Sequence, residues 1–311
     1  MIEVSDLTKD YGRIRALAGV SFKVEKGEVV GFLGPNGAGK TTCMKIVTGF
    51  LAASSGTVTI EGKDVVEHGI EVRRRMGYLP ENAPVYSDMT VGEYLNFIAT
   101  VRDVPKDKVV QRIEQVTAVT GVGERLDQEI GTLSKGFRQR VGLAQAMIHD
   151  PEILILDEPT SGLDPNQIVE IREVIKELGK DRTVILSTHN LPEVTATCNR
   201  IIIIHRGSIA ADGTPDQIQG LYGGGNTFLL EIQEQGGDAL RAALSALSHV
   251  KNVIPLENKS AGQGAFRIEA DGDVDLRPDL FRCCVKEGVT LIELRRERLD
   301  LETIFQRLTL Q

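Results

Sequence analysis

The chain opens on short runs in which apolar and polar residues alternate, Ile2-Glu3-Val4 and Val20-Ser21-Phe22-Lys23-Val24, the pattern of strands with one buried face. Glu28-Val29-Val30-Gly31-Phe32-Leu33 is more continuously apolar and runs into a glycine-rich turn. Thr41–Phe50 then takes helical spacing and ends at Gly49, so the order is strand, turn, helix. Thr57–Ile60 and Asp64–Val66 read as two further short strands. From Thr90 to Val119 the apolar period lengthens to about 3.6 residues. Val91, Tyr94, Leu95 and Ile98 share one face there, which predicts a helical insert at about 86–145.

Further on, Ile153–Leu156, Val184–Leu186 and Ile201–Ile204 are unbroken apolar runs, as expected for strands buried on both faces of a parallel sheet. An amphipathic helix, Asn166–Leu178, separates the first two, and a turn is expected at Asp212-Gly213. Residues 221–226, rich in glycine, predict a linker. Beyond it come a strand (Thr227–Ile232), a helix (Asp238–Leu247), two strands (Val253–Leu256, Ala265–Ile268), a helix (Pro278–Glu287), a strand (Leu291–Leu294) and a last helix. The βαββαβ order predicts a small α+β, ferredoxin-like accessory domain at 227–311, after a first domain at 1–220.

At 311 residues, with 41% apolar and 26% charged positions, the chain is long enough for two cores and is not of disordered composition. Its net charge of −8 argues against a nucleic-acid partner. Met1-Ile2-Glu3-Val4 has no cationic start, so no signal peptide is expected, and the apolar runs are too short to cross a bilayer. Cys43, Cys198, Cys283 and Cys284 form no C-x-x-C pair and read as reduced thiols.

The chemistry concentrates in a few segments. Gly34-Pro35-Asn36-Gly37-Ala38-Gly39-Lys40-Thr41 fits G-x-x-x-x-G-K-[ST] between a strand and a helix. Such a turn points backbone N–H groups at phosphate oxygens and adds the positive end of the following helix. Lys40 would reach the β- and γ-phosphates, and the Thr41 hydroxyl would ligate Mg²⁺. Ile153–Leu156 ends in Asp157-Glu158, which places Asp157 near the ion and lets Glu158 polarise the attacking water. Together the two segments indicate a P-loop NTPase. Leu133-Ser134-Lys135-Gly136-Phe137-Arg138-Gln139-Arg140 reads either as a second anion-binding helix start or as an ordinary helix capped by Ser134.

The last segment resembles the LSGGQ signature of ATP-binding cassette (ABC) ATPases. Further elements of that family follow in order: ILILDEP, then Ser161-Gly162-Leu163-Asp164 (the D-loop pattern), then Leu186-Ser187-Thr188-His189 (the switch-histidine pattern). Tyr11, upstream of the phosphate turn, matches the adenine-stacking aromatic. The resemblance covers roughly residues 1–220. It implies a RecA-like α/β core with an antiparallel β subdomain and a helical subdomain, and an ATPase that uses ATP and Mg²⁺. It also implies a homodimer in which Ser134 and Gly136 of one copy close on ATP held by the other, with Asp164 at the interface. Tyr11 and Gly34–Thr42 would hold nucleotide, with Thr42 following the motif. Thr41, Asp157 and Glu81 would hold Mg²⁺, and Lys40, Glu158 and His189 would be catalytic.

A narrower resemblance, to ATPases of ABC-2-type exporters, rests on the PEN-x-P-x-Y stretch after Tyr78 and on the appended C-terminal domain. It implies transmembrane permease partners and a cytoplasmic location at the inner membrane face. The rival reading is a non-transport ABC ATPase of DNA repair, chromosome structure or translation. It would call for long coiled-coil insertions or a second cassette, and neither pattern occurs. Two positions depart from the family. Gly77-Tyr78-Leu79-Pro80 leads to Glu81 where Gln is usual, and Lys135 and Phe137 replace Gly and Gln of the signature.

Overall fold

The structure is a computed structural model that describes residues 1–222, 226–233, 238–256, 264–272, 274–297 and 299–310. The chain divides into two compact units, one of Met1–Pro215 together with the residues from Leu308 on, the other of Asp216–Arg307.

In the first unit, β1 (Ile2–Tyr11) and β2 (Ile14–Val24) make an antiparallel hairpin, and β3 (Val29–Leu33) runs into the glycine-rich turn and α1 (Lys40–Val47). β4 (Ser55–Ile60) and the two-residue β5 (Lys63–Asp64) complete a four-stranded antiparallel sheet in the order β2-β1-β4-β5. Val65 and Val66, expected in a strand, lie in the turn after β5. Helix α2 (Gly69–Arg74) and β6 (Met76–Leu79) then lead to three helices, α3 (Val91–Val101), α4 (Val109–Thr120) and α5 (Lys135–Met147). β7 (Ile153–Asp157), α6 (Pro165–Leu178), β8 (Thr183–Thr188), α7 (Leu191–Thr197), β9 (Arg200–His205) and β10 (Ser208–Gly213) follow. The expected turn at Asp212-Gly213 is the end of β10, because both residues pair with β9.

The second sheet has the order β10-β9-β3-β8-β7-β6 and is parallel except for β10. β3, β7 and β8 are buried at every position, which accounts for their continuous apolar runs. Because these three strands are adjacent and parallel, their carboxyl ends share one rim. The rim carries the glycine-rich turn, Asp157-Glu158 and Thr188-His189.

The second unit contains α8 (Pro215–Tyr222, from Asp216), β11 (Asn226–Ile232), α9 (Asp238–Ser245), β12 (Val250–Leu256), β13 (Gly264–Ala270), α10 (Arg277–Lys286), β14 (Leu291–Glu297) and α11 (Leu301–Thr309, as far as Arg307). The strands form an antiparallel sheet in the order β12-β13-β11-β14, the arrangement a split βαββαβ chain produces. Phe228, Leu230, Phe266 and Ile268 pack with Leu240, Leu280 and Cys284 into a separate core. Of the expected linker 221–226, Leu221 and Tyr222 are helical and Asn226 begins β11. Gly223–Gly225 lie outside the described residues. All four cysteines are buried free thiols, and burial pushes Cys43 up to about 12. Among the described residues no helix is long and apolar enough to cross a membrane.

Candidate active site

The glycine-rich turn is held by backbone conformations that side chains rarely adopt. Gly37 and Gly39 have φ of +79° and +107°, and a Cβ on Gly39 would press on the Ala16 carbonyl and Leu17. The close approach packs the start of α1 against β2; the Gly34 and Ala38 N–H groups bond to the Thr188 and Pro35 carbonyls, and other N–H groups of the turn and of the first helical residues can form an anion cradle. Lys40, almost fully buried, donates from Nζ to the carbonyls of Gly34 at 2.8 Å and Pro35 at 3.3 Å. The same ammonium lies 3.3 Å from Glu158 Oε1. One cation therefore ties the turn to the end of β7.

Asp157 and Glu158 sit side by side at that strand end with different surroundings. Asp157 is fully buried and accepts a 2.6 Å hydrogen bond from the Ser187 hydroxyl on Oδ1. Burial raises its pKa, hydrogen bonds from Ser187 and Thr41 pull it back, and the charges of Glu158 and Glu81 push it up again. Its Oδ2 is buried and has no partner among the described residues. A hard oxygen ligand with a free lone-pair side, beside the Thr41 hydroxyl and near Glu81, fits a small divalent cation. Glu158 has φ of +49°, uncommon for a residue with a side chain. That backbone turns its carboxylate toward the turn, where His189 Nδ1 meets Oε2 at 2.9 Å and Lys40 meets Oε1.

A cavity of about 500 Å³ opens over this rim. Of the residues singled out in the sequence, Asn36, Gly37, Gly39, Lys40, Thr41, Thr42, Glu81, Glu158 and His189 line it. Gly34 and Ala38 lie beneath: a Cβ on Gly34 would meet the Ile204 carbonyl, and Ala38 is buried. Ala16 and Ser161, the latter opening the D-loop pattern, also line the cavity, although the sequence assigned neither of them a role there. Tyr11 does not line it. That ring is 48% exposed, has Lys9 Nζ 5.4 Å from its centroid, and borders a second, larger cleft.

The signature segment is elsewhere. Ser134 accepts from the Phe137 N–H at 3.4 Å as the N-cap of α5, and Asp164 accepts from the Gln167 N–H at 3.0 Å as the N-cap of α6. A Cβ on Gly136 would overlap the Gln167 side chain of α6, and one on Gly162 of the D-loop would overlap the end of the Lys135 side chain, so both glycines leave room for these flexible side chains to lie close. Phe137 lies under the Arg125 and Arg140 guanidiniums, 5.1 and 5.9 Å from its centroid. None of Ser134, Gly136 and Asp164 lines the phosphate cavity of its own chain.

A phosphate turn on a central parallel strand, facing adjacent carboxylates and a histidine, defines a P-loop ATPase. The chain belongs to the ABC transporter ATP-binding proteins. It matches the family described as ABC transporter over residues 17–161. It is 32% identical over 305 residues to the uncharacterized ABC transporter ATP-binding protein YxlF of Bacillus subtilis (strain 168), covering 98% of each chain. It is 36% identical over 316 residues to the bacitracin transport ATP-binding protein BcrA of Bacillus licheniformis, covering 99% of this chain and 97% of that protein. The structure of cbiO1 from Clostridium perfringens, described as part of the ABC transporter complex cbiONQ, superposes with a TM-score of 0.63 at 29% identity. That match covers 70% of this chain and 90% of cbiO1. The protein is an ATP-hydrolysing, ATP-binding subunit of a transport system.

Proposed function

We propose that two copies of the chain close around two ATP molecules and that hydrolysis drives a separate, membrane-embedded exporter of the ABC-2 type at the inner membrane face. The observation that carries this reading is the separation just described. Ser134 caps an exposed helix start, with Gly136 buried in its first turn, and neither lines the phosphate cavity of the same chain, so on this reading a second copy completes the site. Asp164 would then line the contact between copies.

In the closed site the turn Gly34–Thr42 and Lys40 hold the phosphates, with Lys40 exchanging the Gly34 and Pro35 carbonyls for phosphate oxygens. Tyr11 would stack on the adenine from the end of β1. Thr41, Asp157 and Glu81 would hold Mg²⁺, which neutralises developing phosphate charge when bound. Glu158 takes the proton of the attacking water, and His189, already in contact with Glu158, holds it in line with the γ-phosphate.

The larger cleft, of about 960 Å³, lies between the core and the helical insert. Its walls include Phe50, Tyr86, Phe97 and Val101, all exposed, together with Arg73 and Arg102. No ion pair joins either arginine to a carboxylate among the described residues, so the cleft suits an apolar segment of the exporter that carries an acidic group. The similarity to a bacitracin transport protein and to a member of a multi-subunit complex supports the transport reading.

The test is Glu158→Gln with Mg²⁺ and ATP, followed by light scattering after gel filtration and by phosphate release. The expected result is a stable dimer holding nucleotide, with turnover reduced at least about a hundredfold, as for loss of a general base. A chain that stays monomeric in every nucleotide state, with or without its exporter, overturns the dimer. Near-normal phosphate release overturns the role of Glu158.

A further inference from the structure

Glu193, on α7, takes no part in the chemistry described so far, and its position is costly. It is 0% exposed, on a helix whose other inward residues include Leu191 and Val194; among the described residues no cation forms an ion pair with it, although the Arg172 charge reaches it without a hydrogen bond. A buried carboxylate without a bonded cation carries a large desolvation penalty, which an apolar residue at the same position would avoid. What it does have is a pair of hydroxyl donors from two different site loops. Thr160 Oγ1 donates to Oε1 at 2.6 Å, and Thr188 Oγ1 donates to Oε2 at 2.7 Å.

The two threonines flank the reacting groups. Thr160 is two residues after Glu158, in the loop where the Ser161 N–H bonds to the Glu158 carbonyl at 3.1 Å. Thr188 precedes His189, and its hydroxyl also accepts from the Asn190 N–H at 3.1 Å, so hydrogen bonds bracket the histidine on both sides. The Glu158 backbone has φ of +49°, a conformation that persists only where its surroundings enforce it.

We infer that Glu193 is a positioning residue, a buried two-oxygen clamp that keeps the Glu158 loop and the His189 loop in one register so that their side chains meet. Each oxygen serves one loop, and a forked side chain with two polar atoms at this spacing can hold both. The inference rests on the roles proposed for Glu158 and His189, and its test compares variants that leave those residues in place.

Three variants of the full chain, Glu193→Gln, Glu193→Ala and the double Thr160→Val/Thr188→Val, are measured for kcat, KM for ATP, affinity for a slowly hydrolysed ATP analogue, and melting temperature. Glu193→Gln keeps one acceptor and offers the other threonine a donor, so kcat is expected within about threefold of wild type. Glu193→Ala frees both loops, and kcat is expected to fall at least about tenfold with KM and analogue affinity nearly unchanged. The valine pair should reproduce the alanine result, and adding Glu193→Ala to it should cost little more, because the three groups act as one unit. The clamp is overturned if kcat is unchanged in Glu193→Ala. It is also overturned if Gln is no better than Ala while analogue affinity falls in step with the melting temperature. Should Glu158→Gln retain turnover, the role of Glu158 fails, whereas the contrast between Gln and Ala at 193 is still read on its own.

Discussion

At the scale of single residues, the site works by placing like groups in unlike surroundings. Asp157 and Glu158 are neighbours in sequence, yet one has a buried lone-pair side without a partner among the described residues and the other is held between an ammonium and an imidazole. The sequence shows that both carboxylates end a buried strand. Which oxygen faces which partner depends on the φ of Glu158 and on residues some 30 positions away. Outside the site, His149 shows how burial tunes a titration. Its Nε2 meets the Met76 carbonyl at 2.9 Å, its Nδ1 is buried without a partner among the described residues, and burial followed by the Arg102 charge lowers its pKa from 6.5 to about 4. The unfolded chain takes up a proton below 6.5 that the folded chain refuses until about 4. His149 therefore contributes stability above pH 6.5, and that contribution is lost as pH falls toward about 4. Melting curves at pH 7.5, 6 and 5 should show His149→Gln losing less stability than wild type over this range. A parallel decline in both proteins would contradict the assignment.

At the scale of elements, close approach of backbones sets what the helical insert can do. A Cβ on Gly77 of β6 would overlap the Ala146 carbonyl of α5, and one on Gly142 of α5 would press on Leu79 and Ala83. The helix that begins at the signature is thus seated directly on the strand that leads to Glu81. Gly77→Ala should lower stability by about 1–3 kcal/mol, the usual range for overpacking a rigid contact, as read by urea titration. An unchanged midpoint would mean that α5 shifts freely on the sheet. The helical period of Val91–Val101 was readable because one face is apolar, and the Thr90–Glu93 capping box marks its start. The short α2 was not readable, because six residues with a single buried side chain carry no period.

At the scale of the whole molecule, each unit packs core residues of its own, and among the described residues the cluster around β1–β4 shares none with the cluster around β11–β14. The phosphate cavity is lined wholly by the first unit. Deleting residues 226–311 should therefore leave ATP binding close to that of the full chain and weaken assembly with the copy or the exporter. Fluorescent nucleotide titration and co-purification with the exporter measure the two effects. A truncation that is folded by circular dichroism but no longer binds nucleotide would contradict this division.

The amino-acid sequence by itself determined the parts whose physics is local. These are the phosphate turn, because its glycines and Lys40-Thr41 follow directly from strand to helix; the buried parallel strands, because their apolar runs are unbroken; and the order βαββαβ near the C-terminus. Tertiary structure alone decided the relations between distant segments. It put Tyr11 on the larger cleft rather than in the phosphate cavity, brought Ala16 and Ser161 to that cavity, and buried Glu193 between Thr160 and Thr188. The reason is that periodicity reports which way a side chain faces within its own element. Which hydroxyl or carboxylate it meets there is set by how neighbouring strands and helices are ordered in the sheet.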